Sequence, residues 1–210
     1  MSDLPSPTDP SAVVIVGLGN PGPEYAGTRH NLGETCVRSL ASRLGVEISR
    51  KRWRSLVGFV DGPLGFPGRV WLVLPQTFMN RSGDAVAAAL RDVGVGPSWC
   101  WVVHDELDLP LCRLRLRLGG SDAGNNGVKS ILGALGTDQF WRFRIGVGKP
   151  PTSRRGVDYV LGRWSRAEAA RAPAVVAGVT DALEEALRSG VVRAMDLYNR
   201  AGSLGCEELG

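Results

Sequence analysis

The run Val13-Val14-Ile15-Val16 and the segment that stops it, Gly17-Leu18-Gly19-Asn20-Pro21-Gly22-Pro23, constrain this chain more than any other stretch. Four consecutive β-branched apolar residues read as a buried strand, and the Gly/Pro/Asn cluster behind them reads as a tight loop. That loop delivers His30, one of only two histidines in 210 residues. A backbone fixed by glycine and proline just ahead of a titratable side chain marks the edge of a site. The spacing Gly17-x-Gly19-x-x-Gly22 also matches the dinucleotide-binding fingerprint. That motif opens a helix at its glycines, whereas Pro21 and Pro23 bias the residues before them away from helix. The region where a second strand should end in a ribose-binding acid, Cys36 to Gly45, reads as helix instead. Nucleotide-dependent redox chemistry is therefore disfavoured.

The same pattern recurs twice. Val70-Trp71-Leu72-Val73-Leu74 is a buried strand stopped by Pro75 and followed by Gln76-Thr77-Phe78-Met79-Asn80-Arg81-Ser82-Gly83. Trp99–Val103 is a third, ending in His104-Asp105-Glu106-Leu107-Asp108. Three strands thus release polar groups at their carboxyl ends, where sites assemble in an open α/β sheet. Helical stripes lie between them. Asn31 to Gly45 is apolar at Leu32, Cys36, Val37, Leu40, Ala41 and Leu44, with Asn31 as N-cap and Gly45 as terminator. Asp84–Val93, Val128 to about Leu135, residues 165–189 (interrupted or started by Pro173) and Val191–Asn199 follow. Ser55–Val60 and Phe140–Gly148 are further strands. The expectation is one α/β domain over residues 13–200, a twisted mixed, mostly parallel sheet with helices on both faces. Residues 1–12 are expected to be a disordered tail and residues 201–210 a frayed end.

Charge and cysteine content narrow the class less. The net charge of +4, from 22 Arg and 3 Lys against 21 acids, does not establish a nucleic-acid partner, so placement matters more than the total. Arg113 to Leu118 alternates strictly, putting Arg113, Arg115 and Arg117 on one exposed face. Such a face suits an edge strand guarded by charge, and equally a phosphate backbone. Residues 50–54 (RKRWR) read as a solvated loop, and Thr152–Gly156 as a mobile basic one. No apolar run approaches membrane-spanning length. The scattered Cys36, Cys100, Cys112 and Cys206 read as reduced structural thiols of a cytoplasmic protein.

Taken together, the blocks Gly17-Leu18-Gly19-Asn20-Pro21-Gly22…Tyr25…Thr28-Arg29-His30-Asn31, Thr77-Phe78-Met79-Asn80…Ser82-Gly83, His104-Asp105-Glu106-Leu107-Asp108, Asn126-Gly127 and Arg144-Ile145-Gly146-Val147-Gly148 resemble the bacterial-type peptidyl-tRNA hydrolase family from about Val13 to Asn199. The resemblance implies a monomeric α/β esterase that cleaves the bond between a nascent peptide and the terminal ribose of tRNA, without metal or cofactor. It implies His30 as the base that activates water, Asp105 as its orienting carboxylate and Asn20 as a catalytic hydrogen-bonding group. Asn80 and Asn126 would line the site, with Tyr25 and Met79 shaping its walls. Arg115, Arg117, Arg144 and Arg154 would hold tRNA.

The chemistry agrees with those residue types. Ester hydrolysis needs a neutral base within reach of water and donors aimed at the developing oxyanion, and uncharged Asn amides can donate and accept around a peptide backbone. His104 continues an apolar strand and reads as structural, pointing opposite to Asp105. One departure stands out: the family's loop usually reads Gly-His-Asn-Gly, and this chain has Gly124-Asn125-Asn126-Gly127. Asn125 is placed here among the substrate-binding groups. A non-catalytic RNA-binding relative of the same fold, like the plastid splicing factors that resemble this family, is the alternative that the departure mildly favours and that His30, Asp105, Asn20 and Asn80 oppose.

Overall fold

A computed structural model describes residues 11–150, 156–200 and 204–206. Its centre is β1 (Ala12–Gly17), whose six residues are all buried, flanked by β4 (Arg69–Pro75) and β5 (Cys100–Glu106), both parallel to it. β7 (Trp141–Gly146) continues the parallel set beyond β5. Antiparallel strands close each side: β2 (Arg50–Arg52) and β3 (Ser55–Asp61) outside β4, and β6 (Leu114–Leu118) outside β7. The full order is β2-β3-β4-β1-β5-β7-β6. The parallel bias expected from sequence is confined to the four inner strands, and the outer pairings are antiparallel: β2, β3 and β4 follow one another directly, whereas β6 and β7 are joined through a helix.

Strand alternation divides the core between two faces. Val13 and Ile15 of β1, Leu72 and Leu74 of β4 and Trp101 and Val103 of β5 pack beneath α1 (Leu32–Arg43), with α5 (Arg166–Ser189) and α6 (Val191–Arg200) completing that layer. Val14, Val16, Val73 and Val102 face α2 (Ser82–Val93) and α3 (Asn126–Leu135) on the other side. The connection after β1 therefore leaves to one face and that after β4 to the opposite face. This divergence opens a crevice at the carboxyl ends of adjacent parallel strands. Gly33 lets α1 sit hard against that end: a Cβ there would lie 2.1 Å from the Val103 carbonyl oxygen.

Several local expectations change. Residues 50–52 of the basic stretch form β2, where Arg52 pairs with Asp92, and Arg54 beyond it pairs with Asp84, so they are bound surface charge on a hairpin rather than a solvated loop. Pro173 lies inside an uninterrupted α5, which instead begins at a capping box of Ser165 and Glu168. His104, Asp105 and Glu106 belong to β5 itself, and Ala12 to β1 rather than to the tail. Cys112 and Cys206 form a disulfide across 94 residues of sequence, correcting the expectation of four reduced thiols; Cys36 and Cys100 are free and buried. The C-terminal segment is correspondingly docked rather than frayed at 204–206, where Leu204 N–H donates to the Cys112 carbonyl and Cys206 is buried.

The Arg-Leu alternation of β6 is half-buried at an open sheet edge. Leu114 and Leu116 enter the core and Arg117 is exposed. Arg115, however, is only partly exposed and donates to the Asn199 carbonyl of α6, so the three arginines do not form one free face. Asn199 also pairs with the strand backbone, its Oδ1 accepting from Leu116 N–H at 2.8 Å and its Nδ2 donating to Leu116 O at 2.9 Å.

Candidate active site

The crevice at the strand ends holds a cavity of about 470 Å³ lined by Asn20, His30, Phe78, Met79, Asn80 and Asp105, by Asn125 and Asn126, and by Leu107, Val157, Val160 and Leu161 on its apolar side. Each polar group has a backbone reason to be there. His30 sits in a single tight turn, Arg29–Asn31, immediately before α1. Asn31 occupies the N-cap position of α1, but its side chain does not cap the helix. It reaches back across the loop, accepting from Asn20 N–H and donating to the Asn20 carbonyl, both at 2.9 Å. That pair replaces a backbone ladder with a side-chain amide and fixes the distance between the β1 loop and the His30 turn.

Asp105 reaches the site through the alternation of β5, which sends it to the α1 side and His104 to the α3 side. Its Oδ1 accepts from His30 Nδ1 at 2.9 Å. An ionised carboxylate has no proton to give, so Nδ1 carries the hydrogen and Nε2 is the acceptor. Both side chains are buried. His104 is buried as well, with Nδ1 bonded to the Asp105 carbonyl and Nε2 without a partner among the described residues. Burial pushes the His104 imidazole below its ordinary 6.5, against the pull of the neighbouring Asp105 charge.

The asparagines divide into two kinds. Asn20 Oδ1 accepts from Met79 N–H at 2.7 Å, which turns its NH2 group toward the cavity as a donor. Asn80 and Asn126 are exposed at the cavity rim. Asn125 differs: its Oδ1 accepts from Gly127 and Val128 N–H as the N-cap of α3, and its Nδ2 donates to Asp105 Oδ1 at 3.0 Å and to the Asp105 carbonyl at 3.3 Å. Every hydrogen-bonding position of that amide is matched inside the protein. Asn125, which sequence placed among the substrate-binding groups, lines the cavity but spends its amide on Asp105 and the first turn of α3. Met79 is buried against Gly127 in the cavity wall, whereas Tyr25 stands outside the lining and meets it only through an edge contact with Phe78.

Two features escaped sequence reasoning. The exposed Phe78 and Val157, with Leu107, Val160 and Leu161, make one wall apolar; Phe78 lay inside a recognised block, but α4 (Gly156–Val160) joins the wall only through the fold. Arg29 is the other. Its guanidinium donates to the carbonyls of Tyr159, Gly162 and Arg163 and to Glu168 at 2.5 Å, stacked over the Tyr159 and Trp164 rings. Glu168 at the same time accepts from Ser165 N–H.

A basic cluster borders the cavity. Arg144 donates to the buried Glu106 at 3.1 Å, and Arg142 is buried over the Phe140 ring, donating to the carbonyls of Gly120 and Ser121. Burial holds the Arg142 guanidinium below its usual range, and the charges of Arg117 and Arg144 add to that against the pull of Asp138. Arg117 and Arg144 thus bracket Arg142 on one ledge beside the Gly-rich loop, with Arg115 turned toward α6; Arg154 lies outside the described residues.

Residues 14–204 match the family model described as peptidyl-tRNA hydrolase. A peptidyl-tRNA hydrolase of Chloroflexus aggregans is 46% identical over 189 residues, covering 89% of this chain and 98% of that protein. One from an Anaeromyxobacter species is 43% identical, covering 89% and 96%. The crystal structure of the Acinetobacter baumannii peptidyl-tRNA hydrolase superposes with a TM-score of 0.84 at 33% identity, covering 93% of this chain and 97% of that one.

Proposed function

We infer how the site works from one premise: this chain belongs to the peptidyl-tRNA hydrolase family and acts as a hydrolase of peptidyl-tRNA. The observation that carries the mechanism is the buried His30 Nδ1 to Asp105 Oδ1 bond, which leaves His30 Nε2 as a base at the cavity. Water gives a proton to Nε2 as its oxygen adds to the ester carbonyl carbon. The tetrahedral oxyanion is met by N–H donors, of which the Asn20 NH2 is the one already oriented. The C–O bond to the ribose oxygen then breaks, and the His30 imidazolium returns the proton to that oxygen. Asp105 holds the tautomer and stabilises the imidazolium that forms.

Asn80 and Asn126 at the rim serve the peptide backbone, and Phe78, Met79 and Leu107 its side chains. Arg117 and Arg144 hold phosphates of the tRNA, with Arg115 and Arg154 contributing at the margins of that ledge. One chain supplies every group in this scheme, so a monomer suffices. Because peptidyl-tRNA arises at ribosomes, this reading takes the cytoplasm as the compartment of the activity. Among the described residues no helix is long and apolar enough to cross a membrane.

The test is release of tRNA from N-acetylated aminoacyl-tRNA, with unblocked aminoacyl-tRNA as control and His30→Ala as the variant. Hydrolysis of the blocked substrate alone, abolished by His30→Ala in a protein that still melts cooperatively, is expected. Full activity in that variant would remove His30 from the mechanism. RNA binding without hydrolysis by the wild type would instead favour a binding protein.

A further inference from the structure

We propose that Asn125 is a positioning residue for Asp105, clamping the catalytic carboxylate to the N-terminus of α3. This rests on the reading of His30 and Asp105 given above and adds a third member to their network. The geometry requires it from both ends of the amide. On one side Nδ2 shares Asp105 Oδ1 with His30, at 3.0 Å against 2.9 Å, and also approaches the Asp105 carbonyl. On the other side Oδ1 takes the Gly127 and Val128 N–H groups at 3.0 and 3.2 Å. The partners on each side decide which end of the amide is which, because an ionised carboxylate only accepts and backbone N–H only donates.

Two consequences follow for the reaction. The Asp105 carboxylate is held against rotation by a donor on a rigid helix end, so the His30 ring keeps one orientation. The same donor withdraws charge from Oδ1, which limits how strongly Asp105 attracts the His30 proton. Asn125 is 8% exposed, so water competes little for this bond. An Asn in the place where relatives are expected to carry His therefore fills a connection in the site that an amide makes with all its valences.

Cap and clamp can be separated by substitution. Asn125→Ser keeps a good N-cap but has no second group for Asp105. Asn125→His keeps an N–H for Asp105 but is a poor cap. Steady-state kinetics on N-acetylated aminoacyl-tRNA, with thermal melts of each protein, are the measurement. Asn125→Ser should lower kcat about 10- to 100-fold, as for one lost hydrogen bond to a charged group, with KM and melting temperature near the wild type. Asn125→His should melt lower yet hold kcat within a few-fold.

Wild-type kcat in Asn125→Ser, or kcat falling in step with melting temperature in both variants, reduces Asn125 to a cap and overturns the proposal. A readout without substrate keeps the test separate from the functional reading. The His30 Nδ1 proton, assigned by its loss in His30→Gln, should move downfield in Asn125→Ser as Asp105 becomes the stronger acceptor. An unmoved resonance counts against the clamp even in an active enzyme. Failure of the wild type to hydrolyse the blocked substrate would refute the functional reading and leave the resonance shift to decide the clamp.

Discussion

Asp105→Asn isolates the charge of the carboxylate from its shape. An amide with its oxygen in the place of Oδ1 can still accept from His30 Nδ1 and Asn125 Nδ2, so both bonds and the His30 tautomer survive. The negative charge is removed, and the second carboxylate oxygen becomes an NH2 donor. With charge centres about 4 Å apart and an effective dielectric of about 20, that charge stabilises the imidazolium by about 4 kcal/mol. Both groups are buried, so little of this is lost to screening. The imidazolium forms only as water is deprotonated, so the whole amount raises the barrier and kcat should fall about 1000-fold. Single-turnover release of tRNA from N-acetylated aminoacyl-tRNA at neutral pH measures the chemical step free of product release. KM should be unchanged and the melting temperature no lower than the wild type. A loss of less than tenfold would refute an electrostatic role for Asp105. A loss accompanied by a fall in melting temperature would mean that the amide had disturbed the network it was meant to preserve.

Other expectations probe the surroundings of the site. Arg117→Ala should weaken tRNA binding and reduce the magnitude of its log–log salt slope by about 1, measured by titration at several salt concentrations; an identical slope would remove β6 from the tRNA face. Because burial depresses His104, the unfolded chain takes up its proton near the ordinary 6.5 while the folded chain resists protonation. Its stability contribution is therefore complete above that pH and is lost as pH falls below it, towards the lower folded value. Melting temperature should drop more steeply over that acidic window in the wild type than in His104→Gln, and equal slopes would contradict this. Cys206→Ser should destabilise the protein, by up to about 4.7 kcal/mol if closure of the 94-residue separation in the unfolded chain sets the effect. Urea unfolding measures it, and wild-type stability in the variant would show that the bridge does not form.

What was legible in the sequence was what repeats locally. Val13–Val16, Val70–Leu74 and Trp99–Val103 announce inner strands because burial on both faces leaves no polar position in them. The prolines and glycines after the first two mark where each strand lets go. What was hidden depends on residues far apart. Asn125 reads as one more amide in a polar loop until α3 and β5 are brought together, and only then do its two ends acquire partners 2, 3 and 20 residues away. The Cys112–Cys206 bridge and the pairing of Arg52 with Asp92 are equally invisible to spacing. Arg29 stands beside His30 in sequence, yet its side-chain hydrogen bonds reach 130 residues or more along the chain.

Those contacts of Arg29 tie His30 and Asp105 to different parts of the fold. Asp105 moves with the sheet, since it is the penultimate residue of a buried central strand. The turn bearing His30 is tied through Arg29 to the carbonyls around residues 159–163 and to the first turn of α5. A fluctuation that detached residues 156–168 would therefore draw His30 away from Asp105 while the sheet stayed whole. Activity is therefore expected to be lost at a lower temperature than the strand signal in circular dichroism, and coincident loss of the two would contradict a separate unit.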